Sequence, residues 1–136
     1  QGDKFVVSAF AKKIAEIEKE KREPILTVGN LKSKRDFTDV RDMVRAYLLS
    51  LEKGQVGEVY NLGSGKSYEI SEIVERLMSL SNSKITVEVD KSLLRPVDNP
   101  ELVCNFKKFS DLTDWKPEIP LDKTLSDTLD YWRNLI

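Results

Sequence analysis

The sequence predicts an α/β fold: one small mixed α/β domain of short strands and amphipathic helices. Two observations carry this. Apolar residues recur at helical spacing in several separate segments, and short runs of strand type stand between them. The strands are few and are separated by irregular stretches, so a full doubly wound sheet is not supported. A third observation limits the fold: no strand leads through a Gly-x-Gly-x-x-Gly turn into a helix, so if the protein handles a dinucleotide, the module that binds it is missing from the chain.

The elements follow in order. Residues 5–20 place Phe10, Ile14 and Ile17 on one helical face and end in a charged run, a solvated helix end. Residues 24–28, PILTV, form a short apolar strand bounded by Gly29 and Asn30. The strongest helix follows RDFTDV, with Val40, Met43, Val44, Tyr47, Leu48 and Leu51 in one apolar stripe. Thr38 or Asp39 caps its first amides and Gly54 stops it. Residues 58–63, EVYNLG, are expected to form a strand. Ser71 is expected to cap a helix whose face is Ile73, Val74, Leu77, Met78 and Leu80. Residues 84–90 alternate Ile85, Val87 and Val89 against Thr86 and Glu88, a half-buried strand. Pro96 and Pro100 keep the next stretch irregular. A short helix then puts Phe109, Leu112 and Trp115 on one face, and a terminal helix carries Leu125, Leu129, Trp132 and Ile136 inward.

Composition removes several classes of function. The chain has 136 residues, 40% hydrophobic and 33% charged, a globular profile rather than a disordered one. Its net charge of −1 creates no global field for nucleic acid or anionic membrane, so any anion site is built from a few local basic residues. There is no histidine and one cysteine, so a zinc site is not expected. Cys104 sits in an apolar run, as an inert thiol does. A lone cysteine fits a reducing compartment, and a cytoplasmic location is expected. No apolar run approaches bilayer-spanning length, and the first residues, QGDKFVV, lack the basic start of a signal peptide. The chain opens on Gln1, as a processed protein or a piece of a larger one would.

One glycine-rich stretch, NLGSGKSYEIS, ends like a phosphate-binding loop. A Gly-x-x-x-x-Gly-Lys-Ser pattern counted back from Gly65 needs glycine at position 60, which is Tyr60. The residues after Lys66 are of extended type, so no helix N-terminus meets a phosphate there. The stretch is read as a glycine-permitted bend. Two arginines on loops are the other anion candidates. Arg35 precedes a helix start, and Arg95 is followed by Pro96. Each can offer a planar fork to phosphate, or simply pair with nearby acids: Arg35 with Asp36 or Asp39, Arg95 with Asp98 or Glu101.

Four segments in order carry a family resemblance: GNLKSKRDFTDVRD, YNLGSGKSYEISEIV, LRPVDNPELV, and the closing Trp-x-Pro with its helix. Together they resemble the C-terminal part of the extended short-chain dehydrogenase/reductase family, the NAD-dependent epimerases and dehydratases, and most resemble its GDP-mannose branch of dehydratases and reductases. The resemblance implies a substrate-binding domain that closes over a nucleotide-diphosphate sugar. The NAD(P) and a Tyr-x-x-x-Lys pair would belong to a missing N-terminal Rossmann domain. Four residues beyond Tyr47, Tyr60, Tyr68 and Tyr131 stand Leu51, Ser64, Glu72 and Leu135, so that pair is absent here. By the same resemblance Arg35 and Arg95 hold the diphosphate and Asp98 accepts from the ribose hydroxyls. Asn30 and Leu31 line the nucleotide end, and Ser8 lies near a substrate-facing helix start. Ala9 stands where dehydratases carry a basic residue, which counts against dehydratase-type contacts. The chain alone is expected to bind no cofactor and to be inactive, and the intact enzyme to be a homo-oligomer. A UDP- or dTDP-sugar enzyme domain, or an interaction module that kept the fold, are the alternatives.

Overall fold

The structure, a computed structural model, describes residues 5–94 and 99–136. Five helices and five short strands follow one another as α1 (Val6–Glu18), β1 (Ile25–Val28), β2 (Lys34–Asp36), α2 (Val40–Lys53), β3 (Ser67–Glu69), α3 (Ile70–Ser79), β4 (Thr86–Val89), β5 (Glu101–Leu102), α4 (Lys107–Thr113) and α5 (Leu121–Leu135), with a 3₁₀ turn at Lys91–Leu93. This is the mixed α/β architecture that the sequence predicts.

The main core is built by three helices and one strand pair. Phe10, Ala11, Ile14 and Ala15 of α1 meet Ile73, Val74 and Leu77 of α3 and Leu125 and Leu129 of α5, with Leu26 and Val28 of β1 beneath them. The alanines let α1 and α5 approach closely. α1 closes in a Schellman motif: Glu20 takes a left-handed φ of 55°, while Glu20 N–H donates to Ile17 O and Lys21 N–H to Glu16 O. β1 and β4 pair in parallel, Ile25 beside Thr86 through Val28 beside Val89. Arg133 on α5 donates both arms of its guanidinium to Glu18 at 2.8 and 2.7 Å and reaches Leu80 O at 2.8 Å, which ties α5 to the ends of α1 and α3.

A second, smaller cluster is aromatic. Phe109 and Trp115 pack edge to face at 5.9 Å over Ala46 of α2, with Tyr60, Leu62, Leu49 and Phe106 around them. Buried Asp42 holds this cluster to α5's approach. Its carboxylate accepts from Glu118 N–H and Ile119 N–H and from Arg45, and its carbonyl accepts from Trp115 Nε1.

Several sequence expectations need correction. Residues 58–63 form no strand among the described residues; the three-stranded sheet is instead β3–β2–β5, with β2 central. β2 and β5 are too short for a periodic signal, and their pairing partners lie far away in sequence. α3 starts at Ile70, not after Ser71, and Ser71 Oγ donates to Glu69. Of the two caps expected for α2, Asp39 is the one that forms, accepting from Arg41 N–H, so that expectation stands. Leu112 is exposed, so α4 turns Phe109 and Thr113 inward instead, with Trp115 following them. The apolar stripe of α2 is exposed except at half-buried Met43, while α2 buries Asp42 and Ala46. No helix among the described residues is long and apolar enough to cross a membrane.

Candidate functional site

The short sheet β3–β2–β5 organises the candidate site, because β2 carries Arg35 and Asp36 at adjacent positions with opposite facing. Asp36 is a hub. Its carboxylate accepts from Ser64 N–H at 2.8 Å, Ser64 Oγ at 2.6 Å, Gly65 N–H at 2.9 Å, Cys104 N–H at 3.0 Å and Thr38 Oγ1 at 3.2 Å. Burial pushes this carboxyl up, but the hydrogen bonds from Ser64, Cys104 and Gly65 outweigh it and hold it below the usual carboxylate range. The glycine stretch therefore does bind an anion, and the anion is the protein's own Asp36. Gly65 turns at φ 73°, and a Cβ at Gly63 would lie 2.3 Å from Cys104 Cβ, so both glycines are needed for the wrap.

Arg35 lines an open cavity of about 460 Å³ with Asn61, Leu62, Leu102, Cys104 and Asn105. Its Nη1 donates to Lys34 O at 2.7 Å and to Asn99 O at 2.8 Å, which fixes the side chain along the sheet and ties β2 to the stretch before β5. The acids named as its pairing partners are engaged elsewhere: Asp36 with the glycine loop, and Asp39 with Arg41 and Thr124.

A second, more apolar cleft of about 560 Å³ adjoins the first through Asp36 and Leu62, which line both. The start of α1 contributes Val7 and Ser8, α2 contributes Val40, Arg41 and Met43, and α5 contributes Thr124, Thr128, Tyr131 and Trp132. Ser8 is 5% exposed. Its Oγ accepts from Trp132 Nε1 at 3.1 Å, which leaves the hydroxyl proton available to a ligand acceptor. At the rim Asp39 receives Arg41 Nε at 2.9 Å, Arg41 Nη2 at 2.8 Å and Thr124 Oγ1 at 2.7 Å. The hydrogen-bonded Arg41 guanidinium lowers the Asp39 carboxyl to about 2. Arg41 also reaches Asp127 at 2.8 Å.

The structure thus brings Arg35 and Ser8 to adjoining cavities. Arg95 and Asp98 lie outside the described residues. Asn30 and Leu31 line neither cavity: Asn30 Oδ1 accepts from Lys32 N–H, and Leu31 packs on the main core. Sequence reasoning missed the Arg41–Asp39–Asp127 rim, Trp132's bond to Ser8, and Asn61 and Asn105. Trp132 sits at a core-face position of α5, so spacing alone marks it as packing; only the nearness of α1 makes it a cleft residue.

Comparison with known proteins places this geometry. The profile described as GDP-mannose 4,6 dehydratase matches residues 1–128. The chain belongs to the GDP-mannose 4,6-dehydratase family. Over its whole length it is 32% identical to GDP-6-deoxy-D-mannose reductase of Pseudomonas aeruginosa, of which it covers 45%. A solved structure of RMD from Pseudomonas aeruginosa complexed with NADPH follows the fold with a TM-score of 0.93, at 32% identity, over 100% of this chain and 45% of that one. UDP-glucuronic acid 4-epimerase from Bacillus cereus, solved with UDP-glucuronic acid and NAD, has a TM-score of 0.81 at 27% identity, over 100% of this chain and 42% of that one. The chain thus spans less than half the length of these relatives.

Proposed function

We propose that this chain is the substrate-binding part of a nucleotide-sugar enzyme and takes a GDP-linked hexose, GDP-mannose or a GDP-4-keto-6-deoxyhexose. The observation that carries this is the placement of Arg35 in a polar cavity beside the apolar cleft of Ser8, on a chain 32% identical from end to end to GDP-6-deoxy-D-mannose reductase. Arg35 and Arg95 would hold the diphosphate, whose two negative charges two guanidinium forks match. Asp98 would accept from the ribose, while the turn at Asn30 and Leu31, which lines neither cavity, is given no ligand contact. Ser8, oriented by Trp132, would donate to an oxygen of the sugar.

Hydride chemistry is assigned to a companion Rossmann domain carrying NAD(P). The residues of this chain do not fit a dinucleotide: its one glycine cluster has its amides on Asp36, and no strand runs through a glycine turn into a helix there. The chain's own part is to bind and orient.

Titration calorimetry with GDP-mannose, UDP-glucose and dTDP-glucose tests the reading. GDP-mannose is expected to bind weakly and more tightly than the other two. Arg35→Ala should weaken it about 10- to 100-fold, the worth of a charged phosphate contact. Lys66→Ala should leave it within about twofold, since surface charges away from a site contribute little. Equal binding before and after Arg35→Ala, or loss only with Lys66→Ala, would sink the assignment. Preference for UDP- or dTDP-glucose would move the substrate class.

A further inference from the structure

The parallel pair β1–β4 has two outer edges, and the chain treats them differently. Thr86 N–H donates to Pro24 O at 2.9 Å, and Asp90 N–H donates to Val28 O at 2.8 Å. Thr86, Glu88 and Asp90 thus turn their main-chain groups toward β1, and Ile85, Val87 and Val89 turn theirs the other way. By the same alternation Thr27 O points away from β4, and that edge is guarded: Lys13 Nζ lies over it and donates at 3.2 Å. On the β4 side no further strand pairs among the described residues. Ile85 and Val87 are half-buried against the main core, while Val89, at the end of the open edge, is 57% exposed.

This open edge is complementary to itself. Laid antiparallel beside a second copy with Val87 opposite Val87, it sets Ile85 opposite Val89, Thr86 opposite Glu88 and Lys84 opposite Asp90. The pairs made by Ile85, Val87 and Val89 are then the hydrogen-bonded ones, since these residues carry the outward main-chain groups. Apolar side chains meet on the core face, and opposite charges meet on the solvent face. Other registers fit less well. A slip by one residue sets outward groups against inward ones. Centring the pair on Glu88 sets two glutamates opposite each other, and centring it on Thr86 sets Val89 against Ser83.

We propose that the outer edge of β4 docks a second copy of this chain, joining two β1–β4 pairs into one sheet with the β4 strands antiparallel at its centre. Charge selects this occupant. Lys84 and Asp90 stand at the two ends of the edge, so an inverted copy presents to each the charge that it lacks. The two-fold axis runs perpendicular to the sheet through Val87, so both helical layers lie on the same face. The second copy's Ile85 covers Val89, the apolar residue that the single chain leaves exposed. A contact of one strand edge is small, so the dimer is weak, with a Kd on the order of 100 µM. None of these residues lines either cavity, so the pairing is independent of the substrate reading.

Sedimentation and amide exchange of this chain, followed from about 10 µM to about 1 mM, test the pairing. The chain should pass from monomer to dimer over that range. The amides of Ile85, Val87 and Val89 should slow about three- to tenfold as it does, while those of Thr86, Glu88 and Asp90, already bonded to β1, should not change. Lys84→Glu and Asp90→Lys each set like charges opposite one another and should each weaken the dimer about tenfold. An equimolar mixture of the two variants should recover it, because both contacts of the mixed pair then join opposite charges. Three results overturn the proposal: a monomer at every concentration, a dimer without the alternating pattern of exchange, which would place the contact on another face, or a mixture that associates no better than either folded variant alone. Asp90 also accepts from Ser92 N–H, so Asp90→Lys is first checked by circular dichroism. Should it fail to fold, the alternating pattern and its loss in Lys84→Glu decide: its persistence in Lys84→Glu at the same strength overturns the register.

Discussion

Asp36 shows how one carboxylate shapes a site through the backbone it gathers. Three backbone amides and two hydroxyls from three segments converge on it, which ties the loop, β2 and the stretch after β5 together. Close approach makes this possible, and glycine makes close approach possible. A methyl at Gly63 would collide with Cys104 Cβ, not with its sulfur alone. Gly63→Ala is therefore expected to cost about 1–3 kcal/mol in urea unfolding, the usual range for overpacking. Cys104→Ala should fail to rescue it, because it keeps the offending Cβ, whereas Cys104→Gly should recover part of the loss. Rescue by Cys104→Ala would show that the sulfur, not the backbone approach, sets the fit. The motif that resembled a phosphate loop is thus an anion nest filled from within the chain.

At the scale of elements, the helices are held by a few long-reach contacts laid over apolar packing. Arg133 joins α5 to α1 through a bidentate pair with Glu18, itself pulled below the usual carboxylate range by the Arg133 hydrogen bonds. Its planar fork also reaches the carbonyl of Leu80, which caps the end of α3. Arg133→Ala should lower stability by about 1 kcal/mol, since the pair is partly exposed. Arg133→Lys should recover little of that, because an ammonium cannot make the parallel bonds. Full recovery in thermal melts would reduce the contact to simple charge. Most elements were legible in the sequence: α1, α2, α5 and the strands β1 and β4 follow from their apolar patterns, whereas the parallel pairing of β1 with β4 does not. β2 and β5 were not, since strands of three and two residues carry no period and exist only through pairing across distant sequence.

Over the whole molecule, charge enters through acids that ionise more readily folded than unfolded. Asp39 is lowered to about 2 by its hydrogen bonds with Arg41, and Asp36 and Glu18 are lowered as well. A folded pKa below the unfolded value of about 4 contributes stability that is present above pH 4 and lost as pH falls through the folded value. For Asp39 the contribution is about 1–2 kcal/mol after solvent screening at the half-exposed Arg41. Melting temperature should therefore hold level from pH 7 to about 5 and fall steeply between about 4 and 2. Asp39→Asn should flatten that fall, and an unchanged profile in this variant would remove Asp39 from the account.

Arg35 and Ser8 were legible as candidate contacts through the family resemblance, and the fold sets them in adjoining cavities. The rim of Arg41, Asp39 and Asp127, and the bond from Trp132 to Ser8, were not legible, because each joins residues far apart in sequence. Composition and spacing by themselves determined an α/β chain with three strong amphipathic helices, a failed phosphate-loop motif and no dinucleotide turn. These are local properties, set by periods of two and 3.6 and by what glycine permits. Only the tertiary structure decided which apolar faces are covered. Periodicity gives α2 an apolar face but cannot say what lies against it, and among the described residues most of that face is exposed and residues 58–62 pair with no strand.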